Sequence, residues 1–267
     1  MKDIFNKEKF AEEKVPNELK ILSIGNSFSE DATKHLYLIA KDLGIENVVI
    51  GNVYKGGCSL ETHYKNILED KADYIFYVAD SNTRAMTADP VMRGIKYCIE
   101  YEDWDFITLQ QASNVSGMES SYLNLKPFIE KVKEFKGEKA KLYWHMTWAY
   151  EQDSSHPGFA NYNNDQKTMY EAILSTVKSL IETNGDIEGI IPSGKTIQKL
   201  RYSPLGDTLT RDGFHLSYGI GRYAAALTYL ATFTKCDVNR IKACPEEFPE
   251  VEENLEYIKR AVIESFE

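Results

Sequence analysis

The residues of this sequence whose types and spacing can do acyl-transfer chemistry fall near its two ends. Early, Leu19-Lys20-Ile21-Leu22-Ser23-Ile24-Gly25-Asn26-Ser27 reads as a buried strand that runs out at Gly25 and leaves Ser27 in a tight turn before an amphipathic helix over 31–43. A serine placed there has its hydroxyl beside free backbone N–H groups and the positive end of a helix dipole, which favours negative charge developing on an attacked carbonyl. Late, Asp212-Gly213-Phe214-His215 sits in a loop before a long apolar helix over 218–233. Such a short loop lets Asp212 fold back onto the imidazole, fix its tautomer and stabilise the imidazolium, while the other ring nitrogen points outward as a base. Each cluster alone has a plainer reading. Ser27 with Glu30 makes a capping box, and His215 can simply bond a backbone carbonyl near a helix start. A cap needs no partner at the far end of the chain, so the two clusters together favour a nucleophile and its base.

Two further stretches carry polar groups to strand ends. Lys55-Gly56-Gly57-Cys58-Ser59-Leu60 repeats the design of the first turn: glycines that leave N–H groups open to a ligand, then Ser59 capping a helix over 60–69. A plain turn glycine is the alternative. Gln110-Gln111-Ala112-Ser113-Asn114 ends another strand with uncharged side chains suited to binding a substrate or an oxyanion, or else forming an ordinary polar loop. Trp144, His145, Trp148 and Tyr150 lie near the same edge and, with 156–162, could line a sugar-sized cleft or finish the core. His145 is the second candidate base. His35 and His63 read as helix-surface residues.

The elements that must position these groups alternate. Strands over 19–24, 47–54, 104–109, 140–146 and 187–192 are separated by helices over 31–43, 60–69, 90–101, 122–135 and 162–184, with a short helix over 193–201, which implies a parallel sheet covered on both faces. The stretch 73–89, aromatic and β-branched around Asp80-Ser81-Asn82, reads as an inserted hairpin. Residues 1–18 form a charged arm and 249–266 an amphipathic helix. No repeat or linker interrupts the series, so the spacing implies one domain over 1–267, with its core over 19–235 and a helical extension over 236–267.

Composition excludes several classes. The chain has 267 residues, 43% of them apolar, enough for an ordinary core without staples. Its 31 basic and 41 acidic residues give a net charge of -10 with no basic cluster, which argues against nucleic acid. No apolar run approaches the roughly 20 residues that a bilayer requires, and the first residues lack a signal-peptide core, so as written the reading is soluble and cytoplasmic, with no membrane partner. Cys58, Cys98, Cys236 and Cys244 show neither a CxxC spacing nor a nearby histidine pair, so no metal, redox motif or cofactor is expected. Cys236 and Cys244 could pair only in an oxidising compartment.

Together Gly25-Asn26-Ser27, Gly57, Gln111-Ala112-Ser113-Asn114 and Asp212-Gly213-Phe214-His215 resemble the block order of the SGNH (GDSL-like) hydrolases, more closely the DUF4886-type branch, over about residues 19–235. The resemblance implies an α/β fold, a three-layer αβα flavodoxin-like sandwich whose mostly parallel five-stranded sheet has the order 2-1-3-4-5, with chemistry at the strands' carboxyl ends. It makes Ser27 the nucleophile, His215 the general base and Asp212 its orienter, with the Ser27 and Gly57 amides as oxyanion donors. Two positions depart from the pattern. Asn26 replaces the usual aspartate beside the nucleophile. The usual G-x-N-D block is replaced, so that Ser113 falls in register with the asparagine while Gln111 or Asn114 are the other choices for the third donor. A lost donor costs about 2.7 to 4 kcal/mol of barrier.

The implied activity is a metal-independent serine esterase or deacetylase acting through an acyl-enzyme. The tryptophans, tyrosines and amides of the rim point to an O-acetyl ester of a carbohydrate, with Asn26, Gln110, Gln111, His145 and Trp148 facing it. The alternatives are a carbohydrate-binding or impaired protein on the same scaffold, or an esterase or thioesterase of short-chain lipids.

Overall fold

The computed structural model describes residues 15–267, so most of the arm expected over 1–18 lies outside the described residues. The first strand, β1 (Glu18–Gly25), is the centre of the fold: its last five residues are all buried, because helices cover both faces of the sheet around it. It pairs in parallel with β2 (Asn47–Tyr54) on one side and β5 (Phe106–Leu109) on the other, and β6 (Lys141–His145) and β7 (Gly189–Ile191) continue the parallel run. These five strands keep the expected order 2-1-3-4-5. The sheet nevertheless has seven strands, in the order β4 (Thr87–Ala88), β3 (Ile75–Ala79), β2, β1, β5, β6, β7, which corrects the expected count of five. The additional pair is the stretch 73–89, folded as β3 (Ile75–Ala79) and β4 (Thr87–Ala88) antiparallel on the free edge of β2. Its turn is held by Asp80, whose Oδ1 accepts the Asn82 and Thr83 amides at 2.8 and 2.9 Å. The hairpin satisfies an edge that otherwise leaves a row of backbone groups unpaired.

One face carries α1 (Ser27–Thr33), α2 (Leu36–Asp42), α7 (Ser193–Arg201), α8 (Ile220–Thr234) and α10 (Leu255–Ser265), and the other carries α3 (Leu60–Leu68), α4 (Ile95–Glu100) and α5 (Leu125–Phe135). A further helix, α6 (Gln166–Thr176), lies between β6 and β7 in the chain, and α9 (Pro249–Glu253) precedes α10, the carboxyl-terminal helix breaking at Asn254. Among the described residues no helix is long and apolar enough to cross a membrane, and no disulfide is formed.

Two histidines expected on helix surfaces are buried instead. The helix expected over 31–43 is two helices, and His35 caps the second from the junction, with Nε2 at 2.9 Å from the Tyr218 carbonyl. His63 falls between Leu60 and Ile67 on the stripe of α3 that packs against α5, where its ring stacks on Tyr74 and Phe128 and Nδ1 lies 3.0 Å from the Tyr74 hydroxyl. The i, i+3, i+7 spacing was the signal for its burial.

The register brings the site together. Gly25 pairs with Tyr54 and Ile24 with Leu109, so β1, β2 and β5 end level, and the chain leaves β1 in opposite directions to reach its two neighbours. The loops 26–27, 55–59 and 110–114 therefore emerge side by side at a topological switch point, where the carboxyl ends of parallel strands leave a crevice.

Candidate active site

The end of β1 is crowded. A Cβ on Gly25 would come within 2.7 Å of Ser29 Oγ and 2.8 Å of Gln110 Cδ, so only glycine lets the strand turn there. The next residue, Asn26, is the helix cap: its Oδ1 accepts the Phe28 amide at 3.0 Å, so Ser27 is the first residue of α1 and the capping-box reading fails. Asn26 also binds the two neighbouring loops, donating to the Cys58 carbonyl at 3.1 Å and accepting from Gln110 Nε2 at 2.8 Å. With its cap occupied by Asn26, Ser27 is left to point its hydroxyl outward.

That hydroxyl lies 2.8 Å from His215 Nε2, and His215 Nδ1 lies 2.6 Å from Asp212 Oδ2. Asp212 Oδ1 accepts the His215 and Phe214 amides at 2.8 and 3.3 Å, the fold-back that three-residue spacing allows. An ionised carboxylate can only accept, so Nδ1 carries the hydrogen, Nε2 presents its lone pair, and Ser27 O–H donates to it. Burial pushes the Asp212 carboxyl up, but hydrogen bonds from the His215 ring and amide outweigh it and hold the group below its ordinary range.

The loop bearing His215 is fastened to the helix bearing Ser27 by Asp31, which is 0% exposed. Its carboxylate accepts Arg211 Nη1 at 3.0 Å, Arg222 Nε at 2.7 Å and the Leu216 amide at 2.9 Å. Both guanidinium groups also lie over the Tyr218 ring, at 4.9 and 4.8 Å. Nothing in the local sequence around Asp31 pointed to this role, because its partners are about 180 residues away.

Ser27 and His215 open on a cleft of about 290 Å³ whose other walls include Tyr54, Gly57, Asn114 and His156. Gly57 has φ +62, the left-handed region where glycine alone is unstrained, and its amide has no protein acceptor among the described residues. A second trough of about 320 Å³ shares Gly57, Ala112 and Asn114 with the first.

The polar run after β5 divides by partner. Gln111 is fully used: Oε1 accepts the Leu60 and Ala112 amides at 3.0 and 2.8 Å, and Nε2 donates to the Ser121 carbonyl at 2.8 Å. The Ser113 hydroxyl is 2.8 Å from that of Tyr150. Asn114 lines the cleft, and its side-chain amide has no protein partner among the described residues.

Four side chains expected to face a substrate do not. Gln110, Gln111 and His145 are 1% exposed and Trp148 0%, and Asn26, though it borders the cleft, has its amide committed to protein partners. They support the site from behind. His145 Nδ1 meets Gln110 Oε1 at 2.9 Å, and burial lowers its pKa to about 3, so it is neither within reach of Ser27 as a second base nor charged. Trp148 stacks under Phe28 with centroids 4.3 Å apart and donates to the Phe214 carbonyl at 2.8 Å. Tyr54 and Phe214 were missed as cleft walls. The position of Phe214 inside Asp212-x-x-His215 was the available signal.

Residues 20–261 match the family described as "Domain of unknown function (DUF4886)". The crystal structure of a DUF4886 family protein from Bacteroides uniformis superposes with a TM-score of 0.87 at 36% identity, covering 93% of this chain and 94% of that one. A lipase from a goat rumen metagenome superposes with a TM-score of 0.48 at 15% identity, covering 81% and 98% of the two chains. A catalytic mutant of an acetylxylan esterase from Geobacillus stearothermophilus gives 0.47 at 10% identity, covering 85% and 97%. No curated protein matches the sequence.

Proposed function

We propose that this chain, which belongs to the DUF4886 family, is a serine ester hydrolase that removes a small acyl group, an O-acetyl group in particular, from a hydroxylated carrier such as a carbohydrate. The observation that carries this reading is the continuous hydrogen-bond chain from Ser27 Oγ through His215 to Asp212, at 2.8 and 2.6 Å, opening on a cleft. Ser27 attacks the acyl carbonyl as His215 takes its proton, and Asp212 stabilises the imidazolium. The developing oxyanion faces the amides of Ser27 and Gly57 and the side-chain amide of Asn114. Asn114 replaces Ser113 and Gln111 as the third donor in this reading, because their polar groups already have protein partners. His215 then returns the proton to the leaving alkoxide, and water hydrolyses the acyl-enzyme by the same route in reverse. The residues named perform every step, so the reading calls for no metal or cofactor.

A modest cleft supports a small acyl group, and beside Phe214 the walls of Tyr54 and His156, aromatic with a hydroxyl and a ring N–H, suit a hydroxylated alcohol better than an alkyl chain. The test is release of acetate from aryl acetates and from acetylated xylo- or sialo-sugars by the wild type and by Ser27→Ala. Release by the wild type alone is expected, and equal background rates for both proteins would sink the esterase reading.

A further inference from the structure

The cleft contains a second imidazole with no part in the scheme above. Phe214 lies between the two: its ring centroid is 4.0 Å from that of His215 and 4.6 Å from that of His156. The Nδ1 of His156 accepts the Gly158 amide at 3.0 Å. A ring nitrogen that accepts an N–H carries no hydrogen, so the neutral ring must have its hydrogen on Nε2. That nitrogen has no protein partner among the described residues, although the ring lines the cleft with Ser27. The ring is held in place by Tyr150, 4.9 Å away, by the edge of Phe214, and by the close approach of Gly158, where a Cβ would lie 3.2 Å from Nδ1. Burial and the neighbouring His215, against a smaller opposing effect of Asp212, lower its pKa from the ordinary value, which favours the neutral ring. The result is a fixed N–H donor, neither spent on the protein nor required by the triad.

We propose that His156 Nε2–H binds a second oxygen of the leaving alcohol, making the site selective for esters of polyols, in which a hydroxyl stands next to the ester. This rests on the esterase reading and names the alcohol that reading leaves open. The leaving oxygen must sit at His215 Nε2, because that nitrogen delivers its proton. His156 is the next imidazole along the same wall. Two hydrogen bonds of about 2.8 Å in series with a vicinal pair of oxygens reach across one phenyl ring. An alcohol without the second oxygen leaves the donor desolvated and unpaired, which is how a hydrogen-bonding site discriminates most sharply.

The experiment compares kcat/KM for monoacetylglycerol with that for para-nitrophenyl acetate in the wild type, His156→Phe and His156→Gln. Gln can return a donor near the Nε2 position. The polyol-to-aryl ratio is expected to fall at least about tenfold in His156→Phe, the order of one donor left unpaired, and to recover in large part in His156→Gln. An unchanged ratio in His156→Phe overturns the proposal while leaving the esterase reading intact. If the wild type cleaves neither ester, the esterase reading fails instead. The His156 imidazole nitrogen NMR signals, followed while glycerol or methyl xyloside is titrated into the wild type, then decide the donor separately: a shift of the Nε2 signal supports polyol binding there, and no shift overturns it.

Discussion

The Asp31 carboxylate, one helical turn beyond Ser27 on α1, accepts the backbone amide of Leu216, the residue after His215, at 2.9 Å. Nucleophile and base come from opposite ends of the chain, and this bond, with the Arg211 and Arg222 pairs beside it, fixes the distance between them. In Asp31→Asn one oxygen still serves Leu216, but Arg211 loses the carboxylate it pairs with and Arg222 keeps only Glu30, at 3.5 Å. Breaking a buried pair in this way typically costs about 3 to 5 kcal/mol, so urea unfolding should show a loss of that order. In the fraction that remains folded, kcat on an aryl acetate should fall more than KM rises. Full turnover per folded molecule would assign the cluster to folding alone.

Asp212 holds the tautomer. Asp212→Asn keeps the size of the side chain but allows the imidazole to present its N–H rather than its lone pair to Ser27, which in a triad of this kind lowers kcat about 10⁴-fold. Steady-state kinetics on an aryl acetate measure it, and KM should change little. Because the folded carboxyl lies below its ordinary range, its contribution to stability is present above the unfolded pKa of about 3.9 and is lost only as pH falls through the lower folded value.

The two side-chain amides of Gln111 and Asn114 should behave differently. Asn114→Ala removes a proposed oxyanion donor, and kcat should drop about 10²- to 10³-fold with stability close to the wild type. Gln111→Ala instead strands the buried Leu60 and Ala112 amides, at about 1 to 3 kcal/mol each, and should appear as a lowered melting temperature. Equal thermal losses in the two variants would contradict the division.

Buried histidines set an acid limit on stability. Burial lowers His63 and His145 to about 3, whereas in the unfolded chain they titrate near 6.5. Below that value the unfolded chain binds protons that the folded one refuses, so stability is complete above about pH 6.5 and declines as pH falls towards 3. The slope is at most about 1.4 kcal/mol per pH unit for each histidine. Urea unfolding between pH 7 and 4.5 reads it directly, and His63→Phe should flatten the slope by close to one proton.

Much of this was legible in the amino-acid order. Asp212 and His215 are three residues apart, so their contact needs only a tight loop. Alternating apolar strands and amphipathic helices admit few topologies, which is why a covered parallel core of five strands could be read directly, whereas the order of those strands came from the family resemblance; the hairpin of β3 and β4 showed itself by its aromatic run and Asp80 turn. Its attachment to β2, making the sheet seven strands wide, depended on which edge was left open.

The order of residues by itself determined the parts: a serine at a strand end, a base with its own aspartate, glycines where the backbone must be bare. The tertiary structure decided their orientation. Gln110 and Gln111 are neighbours, yet one binds Asn26 and His145 and the other binds the start of α3, and neither faces the cleft. Only Asn26, which takes the helix cap, frees Ser27 for His215. The reason is physical: side-chain type and spacing are local, whereas the partner that satisfies a buried amide, carboxylate or imidazole is whichever group the packing of distant elements brings within about 3 Å.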